Sequence, residues 1–253
     1  MYLQIPRHDL IAHNVTSKDY DYGVLEDWTV GALNFDGVSQ YGSIDDASTK
    51  ADYSWTDERL GESGSYPGEK RLALDVNDES FLIEVFFKTD GEHTGGTLVS
   101  KGTDKLGYHL VLDESGRPQM RLGFGSGSYV ATALDALNDD EWHHLVAEYD
   151  REKEAVNIFV DGKASSIEKA GTLQNTVSLT NQEDFTVGRH STAAKGFFRG
   201  SMDFVRLSQG SFADSETTIE ELYEWQFNGP FLKDFFGSDP KGARRDVGAI
   251  EGE

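Results

Sequence analysis

From Trp28 onward, apolar and polar positions alternate with period two in short runs cut by Gly, Asp and Asn. ALNFDG, SFLIEVFFK, GTLVSKG, GYHLVLD, PQMRLGF, YVATAL, WHHLVAEYD, AVNIFVDGK, DFTVGR and FRGSMDFVRL each read as one strand, because successive strand side chains point to opposite faces and only the buried face must be apolar. The alternation also assigns faces. Tyr108, Leu110 and Leu112 share one side, with His109 and Val111 on the other. Met120 and Leu122 turn inward and leave Gln119 and Arg121 outside; Val156, Ile158 and Val160 face in, leaving Asn157 and Phe159 out. His143 and His144 are consecutive, so they point to opposite faces and cannot hold one metal together. A single helical pattern occurs, SETTIEELYEW at 215–225, with Asp214 as N-cap, a Thr217/Glu220 capping box, and Ile219, Leu222 and Tyr223 on one face. Many short strands and one short C-terminal helix predict an all-β, two-sheet sandwich.

Two regions break the alternation. Between Ile44 and Leu72 the chain has no period and many turn formers, yet carries Tyr53, Trp55 and Tyr66. A long segment this rich in aromatics is expected to be an ordered functional loop. The ends repeat each other: DYGVLE stands at 21–26 and DVGAIE at 246–251. Pro6 and Asp9 precede the first copy as Pro230 and Asp234 precede the second, and each leading Asp is 12 residues before the next. These marks divide the chain into a tail-like segment 1–27, a main domain 28–227 and a second tail-like segment 228–253.

Composition narrows the function classes. With 45 acidic against 23 basic residues the formal charge is −22, which argues against duplex nucleic acid or an anionic membrane as partner and fits solubility in a saline medium. There are no cysteines, which removes disulfides, thiol catalysis and zinc-thiolate sites. No apolar run approaches the roughly 18 residues a membrane-spanning helix needs. MYLQIPRHDL lacks a signal-peptide pattern, so the chain is expected to be a segment of a longer secreted protein whose export signal lies upstream.

The order of segments adds a resemblance. ALNFDGVSQYGSI, SFLIEVFFK, TLVSKG with GYHLVLD, LNDDEWHHLVAEYD, VNIFVDGK, FTVGR and FRGSMDFVRL, taken in sequence over about residues 30 to 225, resemble the laminin-G-like jelly roll of the concanavalin A-like lectins. EWHHLVAEYD followed by NIFVDGK carries most of that likeness, since its Asp-Gly turn favours a tight hairpin. Where that family usually has a Trp after the Ile83-Glu84 step, this chain has Phe86 and Phe87. The flanking D-x-G-x-[LI]-E runs resemble the closing tails of secreted right-handed β-helix polysaccharide lyases and hydrolases. Together these resemblances imply a lectin-like module attached to a polysaccharide-degrading catalytic domain, from a marine or salt-adapted source.

Retaining glucanases on this fold are known by an E-x-D-x-x-E strand whose two carboxyl groups stand about 5 Å apart. No such strand occurs here, so a non-catalytic carbohydrate-binding module is expected. The alternatives are a structural or protein-interaction domain without sugar binding and, less favoured, a glycan-cleaving enzyme. The resemblance also implies structural Ca²⁺ at Asp36, Gly37 and Asp203, completed by carbonyls because Ca²⁺ takes six to eight oxygens; the plain reading is a turn at Asp36-Gly37.

Two surfaces are candidates for an acidic polysaccharide, whose carboxylates or sulfates need cationic and hydrogen-bonding partners. One is a sheet face with His109, Gln119, Arg121 and Asn157. The other is a loop edge with Tyr53, Trp55 and Arg59 from the long insertion and Arg189, His190, Lys195 and Arg199 from GRHSTAAKGFFRG. Either could equally be ordinary surface, with the arginines paired to nearby carboxylates.

Overall fold

A computed structural model describes residues 11–14, 20–21, 32–46, 53–57, 62–66, 74–92 and 95–212. All ten runs form strands. One eight-stranded antiparallel sheet runs, edge to edge, through β1 (Ile11–His13), β4 (Tyr41–Ile44), β16 (Phe185–Val187), β8 (Gly96–Gly102), β9 (Leu106–Leu112), β10 (Pro118–Phe124), β11 (Ser128–Ala133) and β15 (Ile167–Gly171). A seven-stranded antiparallel sheet holds β14 (Lys163–Ala164), β13 (Ala155–Val160), β12 (Trp142–Asp150), β7 (Phe81–Thr89), β17 (Arg199–Gln209), β3 (Ala32–Asp36) and β2 (Tyr20–Asp21). A separate hairpin of β5 (Tyr53–Asp57) and β6 (Glu62–Tyr66) pairs Trp55 with Gly64, so the long insertion is more regular than the expected loop.

The core lies between the two sheets. Phe81, Ile83, Val85 and Phe87 of β7 and Leu145, Ala147 and Tyr149 of β12 meet Leu98, Tyr108, Leu110, Met120 and Leu122 of the facing sheet. All are fully buried or nearly so, and each large side chain contributes about 1.5–3 kcal/mol by leaving water. At the position where the resemblance led one to look for Trp, Phe87 fills the core while Phe86 faces outward and stacks on Trp142 at 4.9 Å. The Asp-Gly turn after β13 has positive φ at both Asp161 (50°) and Gly162 (75°), the geometry that lets two residues reverse a twisted hairpin.

Buried charge holds the loops. Lys101, inside the core, donates from Nζ to Asp46 Oδ1 and to the Glu183 carbonyl, both at 2.7 Å. Arg151 donates to the carbonyls of Asn77, Glu79, Asn175 and Val177 and so ties two connections to the end of β12.

β1 pairs with β4, and β2 with β3, so residues 11–13 and 20–21 of segment 1–27 lie at the edges of the two sheets. The second tail, 228–253, and the helical pattern at 215–225 lie outside the described residues.

Candidate functional site

The outer face of the eight-stranded sheet carries a polar row set by strand register. Ser43 opposes Thr186, Thr186 opposes Ser100, Ser100 opposes His109, and His109 opposes Arg121. Gln119 lies two positions along the Arg121 strand, across from Thr132. Arg121 is exposed; its Nε and Nη2 donate to Gln119 Oε1 at 2.9 and 2.6 Å. Among the described residues no carboxylate pairs with it. Beside it a depression of about 450 Å³ opens between Gly95, Leu112 and the Asp113–Arg117 turn, where Arg117 is held by Asp113 at 2.9 Å.

The connection from β16 to β17, residues 188–198, lies over this row. Ser191 N donates to Ser100 Oγ at 3.0 Å, Gly102 N donates to Ser191 Oγ at 3.1 Å, and Thr97 N donates to the Gly196 carbonyl at 2.8 Å. This docking stacks His190 on His109, ring centroids 4.7 Å apart and planes 20° from parallel. His190 Nε2 sits 3.1 Å from Asp104 Oδ1, and Lys195 Nζ donates to Asp104 Oδ2 at 2.9 Å. Burial pulls His109 down to about 4, the His190 ring adding to the effect while Asp104 opposes it. Burial likewise lowers His190, against the pull of Asp104. His109, Gln119 and Arg121 of the expected sheet face thus stand near His190 and Lys195 of the expected loop edge.

Other expected members are elsewhere. Asn157 is on β13 of the opposite sheet and donates to Glu148 Oε2 at 2.8 Å, so it does not join His109, Gln119 and Arg121. That sheet's outer face is a self-satisfied network: Glu84, 3 % exposed, accepts from Arg206 Nε at 2.6 Å and lies 2.7 Å from His144 Nε2. Despite its burial, Arg206 and His144 hold the Glu84 carboxyl below its usual range. Arg199 pairs with Asp90. Arg189 lies 3.7 Å over the Tyr41 ring, which also stacks on His13 at 4.3 Å; its buried Nε has no hydrogen-bond partner among the described residues. Tyr53 and Trp55 are on β5, and Arg59 lies outside the described residues.

Asp36 and Asp203, the carboxylates expected to hold Ca²⁺, stand at different levels of the β3–β17 pair. Asp36 opposes Arg199 on the β3–β17 pair, whereas Asp203 lies beyond Met202, which opposes Leu33, at a bulge. Several positions of β rise separate them. The Asp36 carboxylate is engaged within its own turn, accepting from Val38 N and Ser39 N at 2.8 Å, Gln40 N at 3.1 Å and Ser39 Oγ at 3.0 Å. Those bonds outweigh its partial burial and lower its pKa. Gly37, with φ of 72°, lets the turn pass Arg199 closely: an added Cβ would meet Arg199 Cβ at 2.7 Å. Among the described residues no three His, Asp or Glu side chains converge on a metal position.

Sequence reasoning missed Asp104, Ser100 and Ser191. Ser100 follows the core-facing Val99 and shares the outer row with His109, but alternation carries no information about which loop folds down onto that row.

A family model described as the Concanavalin A-like lectin/glucanases superfamily, of laminin-G type, matches residues 64–217. The chain belongs to this superfamily. Among solved structures, domain 4 of AbnA, a GH43 extracellular arabinanase from Geobacillus stearothermophilus in complex with arabinotriose, is 14% identical with a TM-score of 0.51, over 81% of this chain and 79% of that one. The binding domain of botulinum neurotoxin serotype D/C is 10% identical with a TM-score of 0.57, over 94% and 54%. Domains LG4-5 of the mouse laminin alpha1 chain are 24% identical with a TM-score of 0.44, over 54% and 38%. The chain thus spans less than two thirds of the laminin and neurotoxin structures. No curated protein matches the sequence. At these identities the likeness is one of fold, and the superfamily sandwich supplies the frame on which the Arg121 surface stands.

Proposed function

We propose that this chain is a non-catalytic carbohydrate-binding module that holds an acidic polysaccharide on the outer face of its eight-stranded sheet. The observation that carries the reading is Arg121: an exposed guanidinium without a carboxylate partner among the described residues, beside a depression of about 450 Å³ and the Lys195 side chain of the docked loop. In a chain of charge −22, a cation left without a paired carboxylate, although Asp104 and Asp113 lie near enough to act on it, is matched to an anion from outside. Gln119, tied to both Arg121 and Thr132, offers a further polar group for sugar hydroxyls. Domain 4 of the arabinanase, on the same kind of sandwich, was solved with arabinotriose and belongs to an extracellular enzyme; that pairing of module and enzyme supports reading this chain as the targeting part of a secreted polysaccharide-degrading protein. Targeting works by effective concentration, so weak binding by the module alone would suffice.

Affinity electrophoresis through gels containing alginate, pectin, a sulfated galactan or a neutral glucan tests the proposal. Retardation by acidic but not neutral polymers is expected, with no soluble products released. Arg121→Gln should weaken retention by about ten- to a hundredfold, the equivalent of roughly 1.5–3 kcal/mol for a charge-assisted hydrogen bond. Equal mobility in every gel would overturn the reading in favour of a structural domain, and released oligosaccharides would overturn its non-catalytic part.

A further inference from the structure

The Arg121 surface contains two histidines whose arrangement goes beyond simple charge pairing. Each ring has an assignable neutral form. His109 Nε2 faces the Thr103 carbonyl at 3.0 Å, which can only accept, so Nε2 carries the hydrogen and Nδ1 accepts from the Ser100 hydroxyl at 2.8 Å. His190 Nε2 likewise faces the Asp104 carboxylate, and its Nδ1 accepts from Thr192 N at 3.2 Å. A second proton can be accommodated on each. Nδ1–H of His109 would donate to Ser100 Oγ, whose own hydrogen turns to Ser191 Oγ at 3.1 Å, and Ser191 Oγ already donates to the Gly102 carbonyl. At His190 the Thr192 hydroxyl, 3.2 Å from Nδ1, can accept, while Thr192 N–H gives up its bond to that nitrogen.

What the site lacks for that second proton is negative charge. The pair is faced by Arg121 from β10, by Lys195 from its own loop and by Asp104 from the turn after β8, with Asp113 beyond Arg121. Asp104 is already shared between His190 and Lys195. Two protonated rings 4.7 Å apart beside Arg121 and Lys195 would therefore gather like charge, which burial makes worse.

We propose that Arg121 and Lys195 hold a sulfate-type anion beside the buried, stacked His109–His190 pair, which takes up protons as the anion binds so that affinity rises as pH falls. This rests on the reading of the Arg121 surface as the glycan site and names the group that surface selects. Linkage makes the coupling reciprocal: an anion that favours the charged rings raises their pKa, and protonation raises anion affinity by the same factor. A sulfate ester suits the device better than a carboxylate, because carboxylates titrate near 4, where His109 itself charges, whereas a sulfate ester stays ionised.

Two measurements test this separately from the glycan reading. Ring resonances of the whole chain are titrated by NMR in sodium sulfate and in sodium chloride of equal ionic strength, assigned with His109→Gln and His190→Gln. Both midpoints should rise in sulfate by about one pH unit, a tenfold coupling; unmoved midpoints overturn the receptor whatever polymer binds. Retention on a sulfated galactan and on alginate is then compared at pH 7.5 and 5.0. Affinity for the sulfated polymer should rise about tenfold on acidification, more than for alginate, and His190→Gln should flatten that rise. Binding that is flat with pH overturns the proposal. Shifted midpoints with no retention on any polymer would instead sink the glycan reading and leave a receptor for small anions.

Discussion

His143 and His109 show how residue placement sets opposite pH responses within one sandwich. His143 Nδ1 lies 2.9 Å from Asp161 Oδ2 and Nε2 lies 3.0 Å from Asp139 Oδ1. Burial works against its charge, but hydrogen bonds to the two carboxylates prevail and raise its pKa. A raised folded pKa gives stability that is fully present below the unfolded value near 6.5 and is lost as pH rises through the folded value. His109 has the reverse sign: lowered to about 4, it costs nothing above 6.5 and its penalty grows as pH falls from 6.5 to 4. His143→Gln should therefore destabilise the protein by about 1 kcal/mol at pH 5.5, a figure kept small because Asp139 is exposed, and the gap should close by pH 9. Urea unfolding across that range checks it; a gap independent of pH would mean that His143 acts by packing alone. Alternation made the opposite faces of His143 and His144 legible, and the inward and outward members of β9, β10 and β13 as well. It could not name their partners, since Asp161 sits in the hairpin turn after β13 and Asp139 in the crossover from β11 to β12, and alternation does not encode how either approaches.

Among the elements, the turn between β8 and β9 does the most to position the site. Gly102 and Gly107 face each other there with φ of 121° and 132°, and a Cβ on either would meet a backbone carbonyl, of Leu106 or Lys101, at 2.2 Å. Only glycine permits that approach. The close pairing sets Thr103 O against His109 and Asp104 against His190 and Lys195. Gly107→Ala should cost at least about 1–3 kcal/mol and should also weaken retention on acidic polymer, because Thr103 and Asp104 would move. Gly125→Ala is the control: its φ is 80° but nothing lies within 4 Å, so it should cost only about 1–2 kcal/mol of left-handed strain and leave retention intact. Equal losses of stability from the two would show that the close approach does not limit. At this scale the sequence was most readable where strands are long and half buried, as in FLIEVFFKT. It was least readable for IEKAG, exposed along nearly its whole length, and for ESGSY, which has no apolar alternation. The docking of residues 188–198 was illegible for another reason: the loop is held by Ser191, Ser100 and backbone groups, and such bonds leave no period in the chain.

On the scale of the whole molecule, a charge of −22 must be reconciled with a ligand of the same sign. The two act over different distances. Repulsion between the acidic chain and a polyanion is summed over the whole surface and reaches out to the Debye length, about 30 Å at 0.01 M salt and about 8 Å at 0.15 M. The attraction comes from Arg121, Lys195 and, at low pH, two histidine rings, and acts at contact, where screening is weaker. Adding salt at first removes mainly the repulsion. Retention on acidic polysaccharide is therefore expected to strengthen between about 0.01 M and 0.15 M salt, with the change in the association rate, and to weaken at about 1 M, where the Debye length of about 3 Å reaches the contact itself. Stopped-flow association with a fluorescently labelled acidic oligosaccharide, followed across that range, reads the rate directly. A rate that falls steadily from the lowest salt upward, as for a basic protein on a polyanion, would mean that the field at the site is positive well beyond contact and that the acidic residues lie too far off to oppose encounter. A rate maximum near 0.15 M would place the selectivity of this surface in short-range geometry, with the surrounding negative charge rejecting polyanions that cannot reach Arg121.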